Sequence, residues 1–406
     1  MTIELTSVDF GSSPSDEEAR LRALNDTHIL ERGAEYRFDR LTRLCTQLFK
    51  VPLASLVFID RDTPRVKSHS GEIPSVPSSR DFSFANMAIK RPGLFVVEDA
   101  QSDPRYAANP YVVGEPFLRF FAAHPIESQG QRVGALCIMD TKARILTKTE
   151  GLILRDLALW IQSELQNDEE RARATAVHRA LLPIAIPRIP EYEVAGVCVP
   201  SQAVGGDFFD WYLTKDDQLV LTVADVMGKG MGAAMVMATV RTVLKLIART
   251  PVLADALQEA AQVLDEDLNR TASFVTLLDA RLTRATGEIE YVDAGLGLAL
   301  ILRGDGRFER LGVRGLPLGI DSQARWQSGY ERLEVGDSLV IFSDGIYDAL
   351  GGTDASFGQI ARTLFAASTL DEGICTILGG FADRPASDDV TIIAVRRNGR
   401  QGSSIQ

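Results

Sequence analysis

Histidine is nearly missing from this chain: four occur in 406 residues, His28, His69, His124 and His178. With no imidazole beyond residue 178, zinc centres and histidine-activated nucleophiles are disfavoured in the C-terminal half. Oxygen ligands, and hence Mg²⁺ or Mn²⁺, remain as its metal chemistry. Cysteine is equally scarce. Cys45, Cys137, Cys198 and Cys375 lie in apolar segments without CxxC spacing, so buried free thiols are expected. No apolar run reaches the roughly eighteen residues that a membrane-spanning helix requires. The opening MTIELTSVDFGSSPSDEEA lacks a basic, apolar leader, so a cytoplasmic location is expected. Positive charge is in deficit too, 43 Lys and Arg against 55 Asp and Glu, a formal charge of -12. That balance argues against nucleic acid or an anionic membrane as a general partner.

What is present is an ordinary apolar fraction of 45% and a length that favours two or three domains. Residues 1–16 read as a disordered start. Helical patterning begins near Glu17 and resumes over 36–49, where Phe38, Leu41, Leu44, Cys45 and Leu48 recur at helix spacing. The strand LASLVFID follows, then a loop holding Pro64, Pro74 and Pro77, then the helical FSFANMAIK. LFVVEDA, FLRFFAAHPI and RVGALCIMD read as further strands.

From Lys148 a long helix is predicted, stopped by Pro183, Pro187 and Pro190. Leu154, Leu157, Ile161 and Leu165 form a seam that Ala172, Ala176 and Leu182 can extend into a two-stranded coil, predicting a homodimer. Asp168, Glu169, Glu170, Arg171 and Arg173 read as solvated surface. Beyond Pro190 the chain is strand-rich, YEVAGVCVP to VTIIAVR, with helical stretches over 232–249 and 252–269 and short ones after Phe357 and Leu370. Two sheets between helical layers are predicted.

Acids stand at four strand margins in this half, the fourth offering a pair. Asp207 and Asp225 flank QLVLTVA, Asp344 leaves SLVIF through a turn with Gly345, and Asp388 and Asp389 open VTIIAV. Carboxylates at element ends suit a pair of hard cations that activate water for phosphoryl transfer. Gathering them without metal is costly, since two like charges 4 Å apart repel by about 4 kcal/mol at an effective dielectric near 20. Taken singly, each acid reads more readily as a turn residue than as a ligand.

Two resemblances sharpen this. LASLVFID, VVEDAQSDPRYAANPYV, LRFFAAHPI and VGALCIMDTKAR, over residues 17–165, resemble a GAF sensor domain. That implies an antiparallel sheet between helices, often holding a small ligand. The ligand is unknown: no Cys-His pair offers to tether a bilin, His124 reads as structural, and Asp99 and Asp103 as turn caps. A GAF fold used only to dimerise is the alternative.

LLP, VGGDFFD, ADVMGKG, GLPLGI, GDSLVIFSDGIYDA and SDDVTIIAV, in that order from Arg179 to Arg397, resemble the SpoIIE/RsbU-type branch of the PPM metal-dependent serine/threonine protein phosphatases. The resemblance implies an α-β-β-α sandwich and two Mn²⁺ or Mg²⁺ ions. Asp225 would bridge them, the Val226 carbonyl and Asp207 would complete the sites, and Asp344 with Asp388 would hold the second ion. Asp389 is the alternative to Asp388. Attack on phosphorus would come from water rather than a protein side chain. Met227 replaces the family's usual serine, and DAGLGLA from Asp293 replaces NAGHPP. Lys229 reads as exposed, Asp210 and Asp348 as structural groups near the ligands, and Asp216, Asp217 and Asp337 as turn residues.

The chain is thus expected as an α+β multidomain protein: a disordered start (1–16), a GAF domain (17–165), a helical linker (166–190), a phosphatase domain (191–397) and a flexible tail (398–406). The implied activity is a GAF-regulated protein phosphatase acting on phosphoserine or phosphothreonine of a STAS-type anti-sigma-factor antagonist in partner switching. The alternatives are an inactive partner-binding PPM fold and a nucleotide cyclase. The second is suggested by GGDFF, but Phe208 stands where a GGDEF signature has its acid.

Overall fold

The computed structural model describes residues 14–72, 79–183, 187, 189–312, 315–381 and 387–399. Pro74, Pro77, most of the expected disordered start and the tail from residue 400 lie outside these. The chain divides into two compact units, Met1–Arg171 and Ala172–Gln406.

In the first unit α1 (Pro14–Asp26) starts within the stretch expected to be disordered, with Asp16 and Glu17 in its first turn. Acids there complement the helix dipole, and a proline is tolerated where no intrahelical N–H is needed. Then come α2 (Tyr36–Phe49), β1 (Leu53–Ile59), β2 (Pro64–Ser70), α3 (Phe84–Ile89), β3 (Phe95–Val97), α4 (Pro110–Val113), β4 (Phe120–Ser128), β5 (Gln131–Asp140) and α5 (Lys148–Leu181). The strands pair antiparallel in the order β2-β1-β5-β4-β3. β2 was expected as loop. Pro64 is its first residue and β2 is an edge strand, which is where a sheet accepts proline.

The unbroken apolar run of β1 is explained by burial on both faces. Ala54, Leu56 and Phe58 pack under α1, α2 and α5, whereas Leu53, Val57 and Ile59 pack under α3 and α4. On α2, Phe38, Leu41 and Cys45 are buried, but Leu44 and Leu48, expected inside, are 40% and 49% exposed because they lie off the buried stripe. The seam of α5 is used within this unit: Leu154, Ile161 and Leu165 are core, each worth up to about 1.5–3 kcal/mol, Leu157 is half-buried against them, and Ala158 joins the core. Asp168, expected to be solvated, is drawn into an ion-pair network by Arg32 (2.6 Å) and Arg37, which also holds Glu164 at 2.7 Å. Its neighbour Glu169 accepts from Ser128 Oγ at 2.8 Å. A cavity of about 230 Å³ opens on the α3 face, lined by Leu53, Val57, Phe84, Phe121 and Met139 with Ser55, Ser83 and Tyr111 as polar groups. Asp99 and Asp103 do not line it. They pair with Arg119 and Arg105, and the His124 ring meets the Pro125 carbonyl at 2.9 Å.

The second unit contains β6 (Tyr192–Val199), β7 (Phe208–Leu213), β8 (Gln218–Val226), α6 (Gly230–Ile247), α7 (Leu253–Thr271), β9 (Val275–Thr283), β10 (Glu288–Ala294), β11 (Ala299–Leu302), β12 (Phe308–Arg310), β13 (Gly329–Arg332), β14 (Ser338–Phe342), α8 (Asp344–Ala349), α9 (Asp354–Ala366), α10 (Leu370–Gly379) and β15 (Val390–Arg397). One sheet runs β13-β10-β9-β8-β7, the other β12-β11-β14-β15-β6. Their inner faces share a core that includes Trp211, Leu221, Leu278, Ile301, Ile341 and Ile393. α6 and α7 cover the outer face of the first sheet, α9 and α10 that of the second. This is an α-β-β-α sandwich built from strands with alternating inward faces.

Strands β7 and β12 and helix α8 were not expected. β7 is a run of aromatics and acid, FFDWYL, that pairs with β8. Cys45 and Cys137 are buried, Cys198 is half-buried, and Cys375 is exposed, contrary to expectation. It lies one residue past Ile374 on the outer side of α10, whose buried face is Leu370, Gly373, Ile374 and Ile377. α6 is, among the described residues, the one helix long and apolar enough by length and composition to cross a membrane. It includes Arg241 and Lys245, both paired with Asp210, and packs Ala233, Met237, Val240 and Leu244 on the sheet as a core helix.

Candidate functional site

Antiparallel pairing brings the acids together two by two. Phe208 lies opposite Ala224 in the β7–β8 register, so Asp207, just before β7, falls beside Asp225 near the end of β8. In the other sheet Phe342 lies opposite Ile392, which sets Asp344 after β14 beside the Asp388-Asp389 pair before β15. The cross-link between sheets is Asp389. Its Oδ1 accepts from the Ser201 amide at 2.7 Å and hydroxyl at 2.9 Å, and its Oδ2 from the amides of Gly206 at 2.8 Å and Asp207 at 3.4 Å.

Two glycines are required by this approach. A Cβ on Gly205 would stand 2.0 Å from Asp389 Oδ2, and one on Gly345 2.0 Å from the Asp389 carbonyl oxygen. The Val226 carbonyl also faces this strand-end loop, 2.6 Å from where a Cβ on Gly206 would be.

The electrostatics are those of crowded carboxylates. Burial, then the charge of Asp225, pushes Asp207 well above the ordinary range. Asp225 is raised by burial and by Asp344, eased by a hydrogen bond with Asp207. Asp344, open to solvent, is also raised, by its partial desolvation and then by Asp388 and Asp348. Asp207 is 2% exposed and its Oδ2 is a buried oxygen with no hydrogen-bond partner among the described residues. Such an orphan costs about 1–3 kcal/mol unless something meets it. An all-oxygen, multiply acidic set fits a hard divalent cation, which would offset this repulsion. Among the described residues no group of three or more His, Cys, Asp or Glu is already gathered as a cage.

The remaining expectations divide. Lys229, expected as merely exposed, ion-pairs with Asp388 Oδ2 at 2.9 Å and donates to the Ser387 carbonyl. Asp388 Oδ1 accepts from the Asp389 amide at 2.9 Å. Asp210 holds Arg241 at 3.0 Å and Lys245 at 2.8 Å, anchoring α6 to β7. Asp348 is exposed. Met227 is 41% exposed at the rim, and Asp293, fully buried, accepts from the Leu296 and Gly297 amides to hold its turn. Asp217 sits in the β7–β8 turn, but Asp337 does more than turn: it binds Arg303 at 3.1 Å and the Gly304 amide at 2.8 Å.

Sequence reasoning missed His178. Near the end of α5, it is 2% exposed and its Nε2 lies 3.2 Å from the Gly205 carbonyl oxygen.

The family profile described as Stage II sporulation protein E (SpoIIE) matches residues 215–398, and that described as GAF domain matches residues 35–165. Asp225, Val226, Asp344, Asp388 and Asp389 fall within the former; Asp207 lies before it. The chain is 27% identical over 266 residues to Protein IcfG of Synechocystis sp., covering 57% of this chain and 42% of that one. It is 25% identical over 246 residues to the phosphoserine phosphatase RsbU of Bacillus subtilis, covering 58% and 72%. Of solved structures, the RsbU and RsbW domains of a Mycobacterium tuberculosis protein align with a TM-score of 0.48 at 26% identity, over 54% of this chain and 63% of that one.

Proposed function

The chain joins a GAF domain to a SpoIIE-type phosphatase domain, and from that premise we propose a GAF-regulated, metal-dependent protein serine/threonine phosphatase. The observation that carries it is the meeting of two acidic strand ends, one from each sheet, around Asp207 Oδ2, which has no hydrogen-bond partner among the described residues. Asp207, Asp225, the Val226 carbonyl, Asp344 and Asp388 would hold two Mn²⁺ or Mg²⁺ ions. Asp388 is favoured over Asp389 because the Asp389 oxygens are already engaged by four donors, whereas among the described residues Asp388 Oδ2 meets the Lys229 ammonium alone. Bound cations supply charge neutralisation at the phosphoryl group and acidify water. The protein's own part is to hold the carboxylates: Asp389 fixes the Gly206-Asp207 backbone, and Lys229 contributes a cation at the rim for the phosphate or its peptide.

The substrate is phosphoserine or phosphothreonine on a STAS-type antagonist, a reading supported by the likeness to RsbU. The cavity in the first unit would take a small, largely apolar, neutral ligand, since among the described residues no charged side chain lines it. Asp225→Asn and Asp344→Asn each abolish Mn²⁺-dependent hydrolysis of p-nitrophenyl phosphate with the circular dichroism spectrum retained. Full activity in both rejects the site. A panel of phosphorylated STAS proteins tests the substrate, and dephosphorylation of none of them rejects that part.

A further inference from the structure

Gly205 and Gly206 share a peptide group that is gripped from both sides. Its N–H donates to Asp389 Oδ2 at 2.8 Å, and its carbonyl faces His178 Nε2 at 3.2 Å. The next residue is Asp207. One turn earlier on α5, Thr175 Oγ1 donates to the Ala203 carbonyl at 2.7 Å, so two side chains on one helix face hold the loop that leads into the acidic site.

The tautomer follows from what the ring can satisfy. Burial disfavours a doubly protonated ring. Nδ1 is buried with no hydrogen-bond partner among the described residues. Placing the proton there would strand a buried donor, whereas placing it on Nε2 gives a hydrogen bond to the Gly205 carbonyl and leaves only an unused lone pair. The Gly205 amide, 3.4 Å from the same Nε2, is the weaker alternative.

We propose that His178 is a positioning residue for the acidic site: by donating to the Gly205 carbonyl it fixes the peptide plane whose other end Asp389 holds, and so aims Asp207. This rests on the metal-site reading above. Hydrogen-bond partners lying behind metal ligands carry roughly 10–100-fold in metal affinity, and His178 is one step further out, so about tenfold is expected.

The test is calorimetric titration of Mn²⁺ into the full chain and its variants. His178→Phe keeps a ring without a donor and binds Mn²⁺ about tenfold more weakly, whereas His178→Gln keeps an N–H donor and stays within about threefold of the parent. The Mn²⁺ concentration for half-maximal hydrolysis rises in His178→Phe while the rate at saturating Mn²⁺ recovers; a generally weakened fold would leave that saturated rate low. Equal Mn²⁺ affinity in His178→Phe and the parent overturns the proposal. Should His178→Phe fail to fold, His178→Asn and His178→Ala make the same comparison, and equal affinities there overturn it. A parent chain that binds no Mn²⁺ fails differently, removing the site reading itself.

Discussion

Asp279 sits opposite Thr222 in the β8–β9 pairing, 7% exposed, accepting from the Thr222 hydroxyl at 2.7 Å. Burial pushes its carboxyl up to about 6 from 3.8. The folded chain therefore holds this proton more tightly than the unfolded chain, and the associated stability, on the order of 3 kcal/mol, is complete below pH 4 and lost as pH rises through 6. Asp279→Asn cannot lose it. Denaturant titrations from pH 4 to 7 are expected to show the parent losing stability relative to Asp279→Asn as pH rises; parallel curves would show that the carboxyl is not strained. At this scale the ligand candidates Asp207, Asp225, Asp344 and Asp388 were legible because each stands beside glycine or at a strand margin. His178 and Asp389 were harder to read, since what they do depends on backbone amides and a carbonyl from loops far off in sequence, which no local spacing reports.

Among the elements, α5 was legible as a helix to within a residue at its start, and its apolar stripe was real. The stripe's partner was misread, because a helix seam looks the same whether it meets another chain or the unit's own sheet. Leu154, Ala158, Ile161 and Leu165 are spent on the latter. The surface left for a second copy is a different one: Leu152, Ile153, Leu159 and Trp160 are exposed and repeat at seven residues, the coiled-coil interval. A homodimer through that stripe predicts that Trp160→Glu shifts the mass by light scattering at micromolar concentration from dimer to monomer. A parent chain that is already monomeric removes the dimer. β2 escaped the sequence reading because Pro64 argues against a central strand, and only pairing decides that it lies at an edge.

For the molecule as a whole, two units with separate cores predict two calorimetric transitions. Saturating Mn²⁺ at a hundred times its dissociation constant adds about 2.7 kcal/mol to the unit that binds it and nothing to the other. One transition should therefore climb while its companion stays; movement of both, or of neither, contradicts the assignment of the acids to the second unit alone. The sandwich was legible because alternating strands and two amphipathic central helices admit few arrangements, while the convergence of acidic strand ends from its two sheets had to be seen folded.

One feature of that sandwich reaches beyond this protein. Tyr192 of β6, near the second unit's beginning, lies opposite Arg397 of β15, near its end. Entrance and exit thus share one border, as with a cartridge that slots into a socket. Such a module can be spliced behind unrelated sensors, or rejoined tail to head and opened elsewhere, without any strand having to find a new neighbour.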